Sequence, residues 1–390
     1  MPTLAKKEYC TGCTACEAVC PKSAIVMKAD EYGFLHPEID TEKCINCSLC
    51  EKVCPINHHL NSEAEPKAYA AFIKNETVRL ESSSGGLFTE IAKTVLNKGG
   101  AVFGAAYNER FEVEHILVEN EAELYKLRGA KYAQSRLNNT FSDVKKYLDE
   151  GKCVLFSGTP CQVGGLKSFL KKDYDNLITV DFICHSVPSP LAWSEYVKYR
   201  AELDNEGMLP ENINLRSKET GWSRYQYSNL FKYKKDKSHK VKSGESLYMK
   251  LFVGGYICRK SCENCKFKGY SRVSDITLGD FWGIWDIYPE MDDNKGTSAV
   301  LVHTNRGQKL WMDINSKIES QEVTLDQISQ QNISMLIPSK ANPNREYALE
   351  KIRNGEIESC KDLFTVTNTP KTSLLIRIKG KIKRLLTGKK

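Results

Sequence analysis

From residue 68 to residue 183 the chain alternates short apolar runs with stretches of helical period. Ala68–Ile73 reads as a strand. Apolar residues at 87, 88, 91, 92, 95 and 96 then repeat every three to four positions and predict an amphipathic helix from Leu87 to about Asn97, which Gly99-Gly100 ends. Ala101–Tyr107 and Glu114–Val118 read as strands, 140–149 as a helix, Cys153–Ser157 as a strand, 162–171 as a helix and Leu177–Ile183 as a strand. Short buried strands alternating with helices predict an α/β layered domain. Residues 211–245 differ: Leu215, Tyr225, Tyr227, Leu230, Phe231 and Tyr233 are spaced as in an aromatic-rich antiparallel β insertion. The expected class is α+β / α/β.

With 390 residues and 41% hydrophobic content, the chain can bury the cores of two or three domains. Its longest apolar runs, such as Ala101–Ala106, fall far short of the ~18–20 residues of a membrane-spanning helix. Met1–Cys10 has no apolar core of a secretory signal, so a cytoplasmic location is expected. The net charge of +7 belongs to the end of the chain: residues 371–390 hold eight Lys or Arg and no acid, which leaves −1 on the other 370 residues. A body so near neutral has no field for nucleic acid. In the tail, Leu375, Ile378, Ile382, Leu385 and Leu386 share one helical face, opposite most of the cations. That pattern suits peripheral contact with an anionic membrane surface, or a partner-docking helix.

Fifteen cysteines change the picture. Eight lie in two runs, Cys10-x2-Cys13-x2-Cys16-x3-Cys20-Pro21 and Cys44-x2-Cys47-x2-Cys50-x3-Cys54-Pro55. Each matches the spacing of a bacterial two-cluster ferredoxin. Three thiolates on a tight loop cap three corners of one cubane, while the fourth points away and completes the other. The expected sets are Cys10, Cys13, Cys16 and Cys54 for one 4Fe-4S cluster, and Cys44, Cys47, Cys50 and Cys20 for the second. Zinc needs only one C-x2-C pair with two further ligands, not this run twice over. Two adjacent clusters relay single electrons, so the rest of the chain must feed or drain them.

No phosphate-binding G-x-x-x-x-G-K-[ST] and no G-x-G-x-x-G occurs, so a flavin or nicotinamide would be held another way. Three loops offer themselves. Ser83, Ser84, Gly85 and Gly86 at a helix start present free N–H groups to a phosphate, unless the serines are an ordinary N-cap. Arg128–Ser135 brings Lys131, Tyr132, Gln134 and Ser135 around Gly129, fit to clamp a pyrophosphate or a flavin edge or simply to be solvated. Gly158 and Thr159, followed by Pro160-Cys161, end a strand where open α/β sheets bind ligands. A second thiol set can be drawn from Cys161, Cys184, Cys262 and Cys265, with Cys258 competing; by spacing it suits zinc as well as a cluster.

Ser83-Ser84-Gly85-Gly86, Gly158-Thr159-Pro160-Cys161-Gln162, Cys184-His185, Ser261-Cys262-x2-Cys265 and Ser274-Asp275-Ile276-Thr277-Leu278-Gly279-Asp280-Phe281-Trp282-Gly283 together resemble the family of beta subunits of deazaflavin-coenzyme (F-420) hydrogenase and dehydrogenase. The resemblance covers about residues 65–330, behind the ferredoxin module. It implies FAD beside an iron–sulfur cluster and favours a third 4Fe-4S cluster at Cys161, Cys184, Cys262 and Cys265. It also implies hydride exchange with a deazaflavin or another organic substrate, a small-molecule hydride donor or acceptor. Its clusters would trade electrons with a redox partner protein or ferredoxin, or the chain would serve a larger complex with no substrate of its own. Where the family reads Cys-His-Gly this chain has Ser186, and its Cys258 stands where relatives are apolar. The expected division is a ferredoxin module over 1–60, the two parts of the family domain over 66–150 and 151–335, a helical extension over 336–370 and the basic tail over 371–390.

Overall fold

The computed structural model describes residues 2–60 and 65–365, so the basic tail and most of the linker expected after residue 60 lie outside the described residues. In the N-terminal module, β1 (Ile25–Ala29) and β2 (Leu35–Ile39) form an antiparallel hairpin. Its turn is held by Asp30, whose carboxylate accepts from the amides of Tyr32 and Phe34. The two cysteine loops are built alike. Gly12 and Thr14 in the first, and Asn46 and Ser48 in the second, have left-handed backbones. These reversals curl each loop before the single helical turns Ala15–Ala18 and Leu49–Lys52.

The body is a mixed sheet of eight strands: β3 (Lys67–Ile73), β4 (Ala101–Tyr107), β5 (Val113–Val118), β6 (Val154–Ser157), β7 (Leu177–Phe182), and, beyond an insertion, β11 (Ile276–Asp280), β12 (Ser298–Val302) and β13 (Ile318–Val323). The order is β13-β3-β12-β11-β7-β6-β4-β5. The middle four strands, β11, β7, β6 and β4, run parallel, and the flanking strands are antiparallel. Parallel strands are covered on both faces, and β6 shows why its residues are uniformly apolar. Leu155 enters the core of helix Leu87–Leu96, while Val154 and Phe156 enter the core of helices Thr140–Asp149 and Pro160–Leu170. Cys13, Ala15 and Val53 of the N-terminal module share that second core, so the module packs on the body's helices.

The expected antiparallel insertion is present as β8 (Asn212–Ser217), β9 (Ser228–Lys232) and β10 (Ser238–Lys242), in the order β10-β9-β8. Two expectations shift. The helix expected from residue 162 starts at Pro160, because Thr159 and Gln162 make a reciprocal capping box and proline suits the first helical turn. The serines before Leu87 do not cap that helix. Its N-cap is Gly86, with left-handed backbone, and Ser82 instead ends an additional helix, Glu76–Glu81.

Candidate functional site

The structure groups the cysteines across the two runs. One cavity is bordered by Cys10, Cys13, Cys16 and Cys54, a second by Cys20, Cys44, Cys47 and Cys50. Among the described residues no three His, Cys, Asp or Glu side chains converge on a point the size of one ion. The thiols of each set border one shared gap. Burial pushes the Cys13 thiol up to about 12, and the Cys10, Cys161 and Cys54 thiols add to the rise. Four thiols around one gap are a donor set for a thiophilic metal, and the double run of four cysteines fits iron–sulfur clusters. The hydroxyl oxygens of Thr11 and Thr14, on the wall of the first cavity, are buried without a partner. Cys47, in the second set, is exposed.

The second thiol set is also gathered. Cys184 stands just past β7, where burial lifts its thiol to about 12 and Cys161 and Cys265 raise it further. Cys262 is raised by burial and by Cys184, Cys258 and Cys161. Lys268 donates to the carbonyls of Cys184 at 2.5 Å and Ser334 at 2.6 Å, bringing a cation beside this set. Cys258 stands near Cys262 but has partners of its own: its sulfur meets the Ser186 hydroxyl at 2.9 Å and donates to the Phe252 carbonyl. Ser186 and Cys258 thus touch each other. His185 has its ring edge-on to Phe252.

Between these thiols and the helix of Leu87 lies a cavity of about 340 Å³, inside the range of small-molecule sites. It opens at the carboxyl ends of the parallel strands β6, β7 and β11, as open α/β sheets lead one to expect. Ser83, Ser84 and Gly86 line it, as do Lys131, Tyr132, Gln134 and Ser135 on one side and Gly158 and Thr159 on another. Cys161 and Cys184 also reach its wall. Gly85 is the exception: its amide donates to the Ser298 hydroxyl, and a Cβ there would lie 2.4 Å from the Ala71 carbonyl. It is a packing glycine on the sheet. Lys131 turns its ammonium to the carbonyls of Arg128, Lys126 and Gly129 at 2.8, 3.0 and 3.3 Å, so it braces its own loop. Burial pulls its pKa down to about 7, against three acceptors that suit the charged form.

Other wall residues carried no signal in the sequence. Arg216 of β8, 4% exposed, makes a two-pronged pair with Asp280 at 2.7 Å and donates to the Tyr132 hydroxyl and the Ser83 carbonyl. Its Nε is buried without a partner. Lys218, two residues on, donates to the carbonyls of Ser84 and Arg79 at 2.6 Å. Two basic side chains of the insertion thus grip the backbone of the serine loop, with burial and then Arg216 pulling the Lys218 pKa down to about 6. His115 bridges the Ser157 carbonyl at 2.9 Å and the Ser135 hydroxyl at 3.0 Å, and Gln162 donates to that hydroxyl. Because Nε2 donates to a carbonyl, Nδ1 accepts, and the imidazole is neutral. Burial takes its pKa down to about 4. Asp280 and Gln162 lie in the motifs quoted above; Arg216, Lys218 and His115 sit in segments that read as ordinary β structure.

A fold with three parallel strands ending at one cavity, fronted by a double C-x2-C-x2-C-x3-C module, defines an iron–sulfur protein of the redox class. The family models agree. The N-terminal model for the coenzyme F420 hydrogenase/dehydrogenase beta subunit matches residues 68–141. The model for the C terminus of the same subunit matches 151–331, and the 4Fe-4S dicluster domain matches 9–58. The chain belongs to the family of coenzyme F420 hydrogenase/dehydrogenase beta subunits and carries an N-terminal 4Fe-4S dicluster domain. It is similar to one of the subunits of the F(420)H(2) dehydrogenase of Methanosarcina mazei, at 21% identity over 369 residues, covering 90% of this chain and 95% of that protein. Among solved structures it is similar to a chain of the F420-reducing NiFe hydrogenase complex of Methanosarcina barkeri, at 13% identity and TM-score 0.47, covering 78% of this chain and 94% of that one. The family is one of hydrogenase and dehydrogenase subunits, and with its 4Fe-4S dicluster domain the chain is an iron–sulfur electron-transfer protein. No helix of the described residues is long and apolar enough to cross a membrane.

Proposed function

We propose that the chain is an iron–sulfur flavoprotein oxidoreductase that couples hydride exchange at FAD, with a deazaflavin or another organic substrate, to one-electron transfer through three 4Fe-4S clusters. The observation that carries this reading is one shared wall: the cavity lined by Ser83, Ser84, Tyr132 and Ser135 is also lined by Cys161 and Cys184 and by Thr11 of the first ferredoxin loop. A flavin, when bound, supplies the exchange between paired and single electrons that a cubane lacks. The residues supply the rest. The serine loop, braced by Arg216 and Lys218, offers amides to a phosphate. The unpartnered Nε of Arg216 gives the same place a buried positive donor. The Gln162–Ser135–His115 chain holds its hydrogen bonds in one direction, so that wall is a fixed hydrogen-bonding surface with no proton to release near neutral pH. Cys161, Cys184, Cys262 and Cys265 would hold the third cluster.

A second reading, an electron-transfer subunit without its own substrate, draws on the name of the Methanosarcina mazei relative, which is itself one component of a dehydrogenase. It makes a partner protein obligatory, with the exposed Cys47 end as the natural exit. A membrane contact through residues 371–390 belongs to either reading.

Anaerobic purification with iron, sulfide and flavin quantified tests the proposal. About twelve irons and one FAD per chain are expected, with FAD lost in Arg216→Met. A preparation holding iron but no flavin, even when reconstituted with FAD, overturns the flavoprotein part. FAD reduced by a hydride donor in the isolated chain favours the first reading over the second.

A further inference from the structure

The two thiol systems meet along the seam between the N-terminal module and the body, and a buried cation lies on that seam. Arg259 is 2% exposed. Its Nε donates to the Cys10 carbonyl at 2.7 Å and one Nη to the Leu35 carbonyl at 2.8 Å, with the His36 ring 3.3 Å away. Its other Nη donates to Gln134 of the body at 2.9 Å. Each nitrogen of the guanidinium is therefore held by a group of fixed position. In sequence, Arg259 comes three residues before Cys262.

The seam has no slack. A Cβ on Gly12 would lie 2.4 Å from Gln134 Nε2 and 3.1 Å from an Arg259 Nη. A Cβ on Gly165, one helical turn beyond Cys161, would lie 2.9 Å from the Cys13 sulfur. Cys161 adds to the cost of ionising Cys13, while Arg259 favours the anion at both Cys10 and Cys161. One guanidinium thus ties the Cys10 loop to Gln134, on the wall of the large cavity, at the head of the segment that leads into Cys262.

We propose that Arg259 is a positioning residue shared by two cluster sites: it pins the Cys10 loop beside Cys161, and its fixed positive charge favours the reduced state of the cluster on either side. This rests on the reading that both thiol sets hold clusters. Reduction adds one negative charge to a cubane, and a buried cation a few ångströms away stabilises that charge far more than an exposed one does. Arginine suits the role because its charge never titrates away and its planar fork holds several carbonyls at once.

The test is an EPR-monitored redox titration of the full chain, anaerobic and loaded with iron and sulfide, as parent, Arg259→Gln and Arg259→Lys. Signals are assigned with Cys16→Ala, Cys265→Ala and Cys44→Ala. In Arg259→Gln the reduction equilibrium of the Cys10/Cys13/Cys16/Cys54 cluster and of the Cys161/Cys184/Cys262/Cys265 cluster should weaken about tenfold. That corresponds to ~59 mV for one electron. The Cys20/Cys44/Cys47/Cys50 cluster, remote from the seam, should stay put. Arg259→Lys should recover most of the shift but weaken the magnetic coupling between the two seam clusters, because charge returns and the fork does not. Unchanged potentials in a fully loaded Arg259→Gln chain overturn the electrostatic role, and unchanged coupling in Arg259→Lys overturns the pinning. If Arg259→Gln does not load, Arg259→Lys decides: its potentials are read against the parent, and a weakening of about tenfold despite the retained charge overturns the proposal. A parent with only about eight irons sinks the third cluster instead, and the shift of the first cluster alone then reads Arg259.

Discussion

Gly165 shows how little a single position can vary. It lies on the helix that carries Cys161, and a methyl group there would press on the Cys13 sulfur at 2.9 Å, a short side chain with nowhere to swing. Gly165→Ala is expected to cost about 1–3 kcal/mol, as overpacking of a core does. It should also lower the iron content, with the first N-terminal cluster lost before the second; metal analysis and EPR of the variant check this. His115 makes a pH prediction. In the folded chain burial holds its pKa near 4, against ~6.5 unfolded. The unfolded chain therefore binds the extra proton between those values. The stability this group contributes is complete above ~6.5 and is lost as pH falls to about 4, a total on the order of 3 kcal/mol. Melting of the parent should fall on acidification across that window, and melting of His115→Gln should fall less. Equal slopes would show that another group titrates there.

At the scale of elements, the antiparallel insertion is joined to the main sheet by one buried ion pair. Arg216 of β8 meets Asp280 at the end of β11, packs over the Tyr227 ring at 4.0 Å and reaches the Ser83 carbonyl. Arg216→Met would leave Asp280 partly buried without its cation. Its remaining partner is the indole N–H of Trp222. A loss of about 3–5 kcal/mol is expected, as for a broken buried pair. Differential unfolding of the variant measures it, and a loss below about 1 kcal/mol, the size of an exposed pair, would show that the insertion is held by its aromatic packing alone. The helix Pro160–Leu170 depends on its cap in the same way. Thr159→Ala should cost about 1 kcal/mol and disturb Cys161, whose sulfur lies 3.1 Å from the Thr159 hydroxyl.

For the whole molecule, the order of sites runs from the exposed Cys47, through the first thiol set, across the Arg259 seam to Cys161 and Cys184, and into the large cavity. The crossed ligand sets give a prediction that linear order would not. Cys20→Ala and Cys44→Ala should each abolish the same EPR signal although they lie in different runs, and Cys54→Ala should abolish the one that Cys10→Ala abolishes. If instead Cys20→Ala removes the Cys10 signal, the crossing is wrong.

The alternation of apolar and polar residues was enough to locate the five strands between 67 and 183, because each is short, apolar and bounded by turn residues; it found three helices there but not Glu76–Glu81, which is too short to show a period. The two cysteine runs were legible for a similar reason: cubane ligation is local, so its geometry is written into spacing. Where the serines before Leu87 stand could not be read so well, since capping depends on which backbone torsions the fold demands, and Gly86 met that demand. Arg216, Lys218, His115 and Arg259 were invisible as site residues because each is one polar residue in an ordinary segment. Their roles exist only once the sheet brings β5, β8 and the Cys258–Cys265 loop to the same cavity and seam. What the chain determined by itself is everything that neighbouring residues can do together, the local periodicity and the local ligand loops. What tertiary structure alone decided is which distant groups share a buried space, because the energy of a charge or a thiol is set by what surrounds it, and its surroundings come from remote parts of the chain.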